Sequence, residues 1–190
     1  MNVTTARRVH HSYAEYLAAL EMSDVKLEYC EGEIYAMAGG TPAHAALAAA
    51  ITAVLSNALQ GGCRVFSSDL KVRIEATDLS AFPDVTVVCG EHQVSPLDRH
   101  AVTNPTLIVE ITSHSTEDYD RGEKLSHYKQ CPSVATVLIA SHKRPQITLF
   151  ERIGGAWEQH EFRLGERVLV RHPSLTFAVG DVYDGIALEA

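Results

Sequence analysis

No run of apolar residues in this 190-residue chain approaches the roughly 20 that a membrane-spanning helix needs. Its opening, MNVTTARRVHHSYAEYL, lacks the apolar centre of a secretory signal, so the sequence places the protein in the cytoplasm. Cysteine is scarce. Cys30, Cys63, Cys89 and Cys131 stand far apart, with no CxxC pair for a zinc knuckle or redox centre, and read as reduced thiols. No GxxxxGKS/T or GxGxxG stretch exists, which argues against a nucleotide cofactor, and the ten histidines include no HExxH. Ser113 and Ser115 have no glycine elbow around them, so a hydroxyl nucleophile is not indicated. Positive charge is also short: 16 Lys and Arg against 24 Asp and Glu give a net charge of −8. Any hold on nucleic acid must then come from a local basic patch, for which Lys71 with Arg73, or Arg121 with Lys124 and Lys129, are the candidates. No repeat, linker or low-complexity tract divides the chain, and its length suits one domain with a full core.

What is present alternates between helical and strand periodicities and predicts an α/β (α+β) domain. Ser12 and Glu15 have capping-box spacing ahead of apolar residues at helical intervals, predicting a helix over 12–21 that packs across a sheet edge. LEYC and EIYAMA flank Glu31-Gly32 as a hairpin, with Glu28 and Glu33 on its arms. Thr41-Pro42 starts, and Gly61-Gly62 stops, a long alanine-rich helix with Leu47, Ile51, Val54, Leu55 and Leu59 as its apolar stripe. Short β-branched strands follow at CRVFSS, LKVRIE, DVTVVC and TLIVEIT, the last two apolar enough for the centre of a covered sheet. Ser115 to Gln130 reads as a helix ended by Cys131-Pro132, and VATVLIA, QITLFER, WEQHEFR and VLVRH suggest an antiparallel extension.

The chemistry lies where a charge interrupts an apolar strand. Glu110 sits between Val109 and Ile111, and a carboxylate there requires a partner, a proton or a metal. Asp84 opens the strand DVTVVC. Two carboxylates at neighbouring strand ends can share one hard cation, because Mg²⁺ accepts one or two protein carboxylates and completes its shell with water and phosphate oxygens. The helix after Glu110 brings Lys124, with Tyr128 four residues on and on the same face. A lysine beside the metal could orient or deprotonate an attacking water and stabilise charge developing on phosphorus. Read singly, Asp84 is a turn residue, Glu110 half of a buried salt bridge and Lys124 a surface lysine.

The ordered segments LEYCEGEIYAMAGGTPAH, SSDLKVRI, FPDVTVVC and LIVEITSHSTEDYDRGEKLSHYKQC resemble the Uma-type restriction endonuclease family, a branch of the PD-(D/E)XK nuclease superfamily. The likeness runs from about Tyr16 to Tyr183. It implies an αβββαβ restriction-endonuclease-like core, a mixed sheet flanked by helices, over about 12–142, with a C-terminal β extension over about 143–190. It implies Asp84 and Glu110 as the metal carboxylates and Glu28 as a further acidic member of the site. The superfamily usually carries a lysine two residues after the glutamate. Here that residue is Thr112, and the family pattern transfers the lysine to the next helix, at Lys124. His44 matches a histidine common in the family, which reaches the site or caps and packs its helix. CPSVAT at 131–136 departs from the family's usual continuation, which implies a local difference in packing.

The expectation is a Mg²⁺- or Mn²⁺-dependent DNA endonuclease acting on double-stranded DNA, without a nucleotide cofactor. A homodimer follows from the need to cut two strands related by a two-fold axis. The competing readings are a nucleic-acid-binding domain that kept the fold without activity, and a protein-interaction domain whose carboxylates form salt bridges. Survival of Asp84, Glu110 and Lys124 together favours the enzyme.

Overall fold

A computed structural model describes residues 10–37, 39–59 and 61–188. The first nine residues of the opening segment and Ala38 of EIYAMA lie outside them. Ser12 caps α1 (Tyr13–Glu21) reciprocally: its hydroxyl accepts from the Glu15 N–H, and the Glu15 carboxylate accepts from the Ser12 N–H at 2.7 Å. Tyr13 and Tyr16 pack on Tyr29 of β1 (Leu27–Cys30). β1 turns into β2 (Glu33–Ala36) through Glu31 and Gly32, whose positive φ angles of 48° and 89° give the tight hairpin its right twist. Thr41 caps α2 (Pro42–Ala58), and Leu47, Ile51 and Leu55 are its buried face.

Next come β3 (Cys63–Ser67), β4 (Lys71–Ile74), a 3₁₀ turn (Glu75–Thr77), β5 (Leu79–Ala81), β6 (Val85–Cys89), β7 (Val94–Ser95), β8 (Asp98–Val102) and β9 (Leu107–Ile111). β5, β7 and β8 were not anticipated; they are short and lack clear alternation. The helix expected over 115–130 begins later, as α3 (Glu117–Tyr119), widens to a π-helical stretch (Asp120–Lys124) and returns to α4 (Leu125–Gln130). No side chain caps its start, and the Thr116 hydroxyl donates to Asp120 at 2.6 Å. β10 (Thr136–Ala140) then runs parallel to β9, so α3 and α4 form the crossover that a parallel pair requires. β11 (Gln146–Ile153) and β12 (Ala156–Arg163) extend this sheet antiparallel, and β13 (Arg167–Val170) pairs with β14 (Leu175–Ala178) ahead of α5 (Val179–Tyr183).

The strands form two six-stranded sheets, ordered β2-β1-β5-β4-β8-β7 and β12-β11-β10-β9-β6-β3, with β13 and β14 as a separate pair. Strand alternation decides which way β9 points each residue. Leu107, Val109 and Ile111 join α2, α5 and the β13–β14 pair in one core. Ile108 instead meets α4, β4 and β5 in a second core. Glu110 shares the parity of Ile108, so it enters the layer between the two sheets.

Two expectations are corrected. Cys63 and Cys89 are joined by a disulfide, because the β3–β6 register sets them directly opposite one another across 26 residues of sequence, a pairing that no local spacing could reveal. Cys30 and Cys131 are free thiols. The basic patches also dissolve: Lys71, Arg73 and Lys124 are buried against carboxylates, and Arg121 pairs with Glu117 at 3.3 Å. Among the described residues, no helix is long and apolar enough to cross a membrane.

Candidate active site

The β6–β9 ladder brings Val85 opposite Val109, so Asp84 and Glu110 continue it as the next facing pair. Asp84 Oδ2 accepts the Ile111 N–H at 2.7 Å, which ties the start of β6 to the end of β9. His44, in the first turn of α2, uses its backbone N–H on the Thr41 cap while its ring reaches the site. His44 Nε2 lies 3.4 Å from Asp84 Oδ2 and 3.2 Å from the Ile111 carbonyl. Asp84 raises the imidazole pKa more than burial lowers it.

Glu110 is 4% exposed. Lys124 Nζ sits 3.0 Å from its Oε1, and the Tyr128 hydroxyl donates to the same oxygen. The same ammonium donates to Glu28 Oε1 at 3.1 Å, and that oxygen also accepts the Phe82 N–H at 2.9 Å. Asp120, buried one turn before Lys124, was not foreseen. Its position four residues ahead of Lys124 was the available signal. The π-helical stretch spans Asp120 to Lys124, a local widening common at functional sites.

The electrostatics are lopsided. Burial raises the Glu110 carboxyl pKa from 4.5 to about 8; Lys124 opposes that rise, while Asp84, Asp120 and Glu28 add to it. Burial likewise raises Asp120. Burial disfavours the charged form of Lys124, but Glu110, Glu28 and Asp120 outweigh it and hold the ammonium protonated. Each carboxylate makes its described protein contacts through one oxygen: Oε1 of Glu28 and Glu110, Oδ2 of Asp84 and Asp120. Among the described residues, the four second oxygens have no protein partner, and none is a sealed polar atom of the kind Arg73 Nε is. Hard oxygen donors in excess of local positive charge fit a divalent cation of the Mg²⁺ class. Asp84, 14% exposed at its side chain, is the accessible member.

Other expected participants fall elsewhere. The Thr112 hydroxyl is 2.8 Å from His142 Nδ1, joining the ends of β9 and β10. Lys129 leaves the site, with its ammonium 4.4 Å from the Phe150 ring centroid. Lys71 pairs with Asp98 at 2.6 Å.

The model of the Uma2 family, described as "Putative restriction endonuclease", matches residues 13–180. The chain belongs to the Uma2 family. Two uncharacterised proteins of Synechocystis sp. (strain PCC 6803) are similar to it: one is 36% identical, with 91% of each chain covered, and the other 30% identical, with 74% of this chain and 80% of the relative covered. A crystal structure of a "putative nuclease belonging to DUF820" from Anabaena variabilis superposes with a TM-score of 0.71 at 16% identity, covering 87% of this chain and 93% of that one. The Uma2 chain thus has a restriction-endonuclease-like nuclease fold of mixed sheets flanked by helices.

Proposed function

We propose that this Uma2 chain is a single-domain endonuclease that hydrolyses phosphodiester bonds of double-stranded DNA, with Mg²⁺ or Mn²⁺ held by Asp84 and Glu110. The observation that carries the reading is the crowding of Glu28, Glu110 and Asp120 on the single ammonium of Lys124, with Asp84 facing Glu110 across the β6–β9 ladder beside His44. When bound, the cation supplies Lewis-acid polarisation of the phosphoryl group and lowers the pKa of water. Asp84 is oriented for this by the Ile111 N–H and by His44, and Glu110 by Tyr128. Lys124 acts as a fixed positive charge that stabilises the pentacoordinate phosphorus. It does not act as a base, because its carboxylate neighbours keep it protonated. Glu28 positions that ammonium.

The protein works as a homodimer, since two sites related by a two-fold axis serve the two strands of a duplex. Purified protein incubated with supercoiled plasmid should nick and linearise it with Mg²⁺ or Mn²⁺ and not with EDTA. Asp84→Ala should be inactive. Activity retained in that variant would contradict the assignment, and a parent protein that binds DNA without cutting it would favour a binding domain that kept the fold.

A further inference from the structure

Beside the acidic cluster lies a second group of ligating side chains with different chemistry. Cys30 follows Glu28 by two residues on β1 and so faces the same way, towards α4. Glu123 adjoins Lys124, and His127 follows it by four residues. Cys30 Sγ is 3.3 Å from His127 Nε2, which is 4.0 Å from Glu123 Oε1, and the three ligand atoms lie within 4.8 Å of one another. Cys30 and His127 are buried, whereas the Glu123 side chain is 62% exposed. Among the described residues His127 Nδ1, sealed in the core, has no partner, and the polar contacts of this imidazole converge on the cluster.

We propose that Cys30, Glu123 and His127 form a site for a borderline-soft divalent metal ion of the zinc class, separate from the carboxylate centre. Tetrahedral zinc with ordinary bond lengths places sulfur and nitrogen ligands about 3.6 Å apart and nitrogen and oxygen ligands about 3.4 Å apart. The 3.3 Å between Cys30 and His127 is already close to the first of these separations, and a small swing of the exposed Glu123 shortens its 4.0 Å to the second. The thiolate and imidazole select zinc or cobalt over magnesium, whose preference is for oxygen alone. Binding replaces the thiol S–H bond with a metal–sulfur bond and releases the proton to solvent. Three protein ligands leave a fourth position, on the open side next to Glu123, for water or an added ligand. The ion would join β1 to the helix through residues adjacent to Glu28 and Lys124, and so would steady their contact. This inference does not depend on nuclease activity.

Cobalt titration tests it directly, with the full chain and without reductant so that Cys63 and Cys89 stay joined. The expected result is one equivalent of Co²⁺ giving a thiolate-to-cobalt charge-transfer band, displaced by one equivalent of Zn²⁺. The band should persist in Cys131→Ser and in Asp84→Asn and vanish in Cys30→Ser. Glu123→Gln, at an exposed position where folding is not at stake, should weaken binding at least about tenfold, since even supporting groups around metal ligands cost that much. Absence of the band in the parent, its survival in Cys30→Ser, its loss in Cys131→Ser, or unchanged affinity in Glu123→Gln would overturn the proposal. A parent that shows the band yet never cuts DNA would refute the nuclease reading and leave this site standing.

Discussion

Two buried charge clusters share this fold, and they are built on opposite principles. In one, every cation has its own carboxylate: Lys71 lies 2.6 Å from Asp98, and Arg73 pairs with Asp78. Tyr13 and Tyr29 complete the pairing by donating to Asp98 and Asp78, each at 3.0 Å, and the Arg73 guanidinium lies 4.0 Å from the Tyr13 ring centroid. In the other, Glu28, Glu110 and Asp120 crowd the single ammonium of Lys124, with Asp84 and His44 at its edge. The first cluster has one carboxylate for each cation, leaves no carboxylate in excess and holds sheet and helix together. The second is short of positive charge. A buried excess of carboxylate is unfavourable for folding, so its presence points to a ligand that balances it.

Substitutions should separate the two clusters sharply. Glu110→Gln and Asp84→Asn are expected to reduce plasmid cleavage to background while circular dichroism reports an intact fold. Lys124→Met should slow single-turnover cleavage at saturating metal by about two to four powers of ten. Because Lys124 is bonded to both Glu28 and Glu110, its loss also strands two buried carboxylates, and the variant should unfold at lower urea. Lys129→Met, whose parent side chain packs over Phe150, should cleave at the parent rate. Equal rates for Lys124→Met and the parent would remove Lys124 from the chemistry.

The balanced cluster should show the reverse pattern. Lys71→Met leaves Asp98 unpaired and should cost about 3 kcal/mol in urea unfolding, the lower end for breaking a buried pair. Added Mn²⁺ should not restore that loss, and metal affinity should match the parent's.

The pH dependence of stability sharpens the contrast, since the two clusters should respond in opposite directions. Burial raises Glu110 from 4.5 to about 8, so the fold holds its proton more tightly than the unfolded chain does. Its contribution is complete below about 4.5 and is lost as pH climbs towards 8; His44, raised chiefly by Asp84, adds a loss of the same sign. Burial would raise Asp98 too, but Lys71 and the His100 N–H outweigh it and lower its pKa. That contribution is present above the ordinary carboxylate range and is lost as pH falls through it. Urea midpoints of metal-free protein should therefore decline between about pH 4.5 and 8, and Glu110→Gln should flatten that limb while leaving the acid limb in place. An unchanged alkaline limb in the variant would break the contrast. The smallest effect is expected of Arg73→Lys, about 1 kcal/mol, because the ammonium keeps the charge and loses the guanidinium stacking on Tyr13.

Much of the candidate site was legible because its signals are local. Glu110 stood out as a charge within LIVEI, Lys124 and Tyr128 were linked by helical spacing, and Ser12 with Glu15 marked α1 to the residue. The family resemblance contributed Glu28, which no local pattern singled out, and its contact with Lys124 joins residues 96 apart in sequence. Asp120 escaped notice because DYDRGEK resembles an ordinary solvated helix face; its spacing from Lys124 indicates a shared face, and the packing of that helix against β9 and β1 turns the face inward. The disulfide and the Lys71–Asp98 pair escaped for the same reason. Strand register and the parallel β4–β8 pairing made those partners, and neither leaves a trace in composition or spacing.

Calorimetric titration of Mn²⁺ into the metal-free protein tests the central claim most directly, because manganese favours oxygen donors and so reports on the carboxylates more than on the Cys30 thiol. Saturable binding is expected in the parent, lost in both Asp84→Asn and Glu110→Gln and retained in Cys30→Ser and Lys71→Met. Mn²⁺ affinity unchanged in Asp84→Asn and Glu110→Gln would show that the excess carboxylates do not hold the metal.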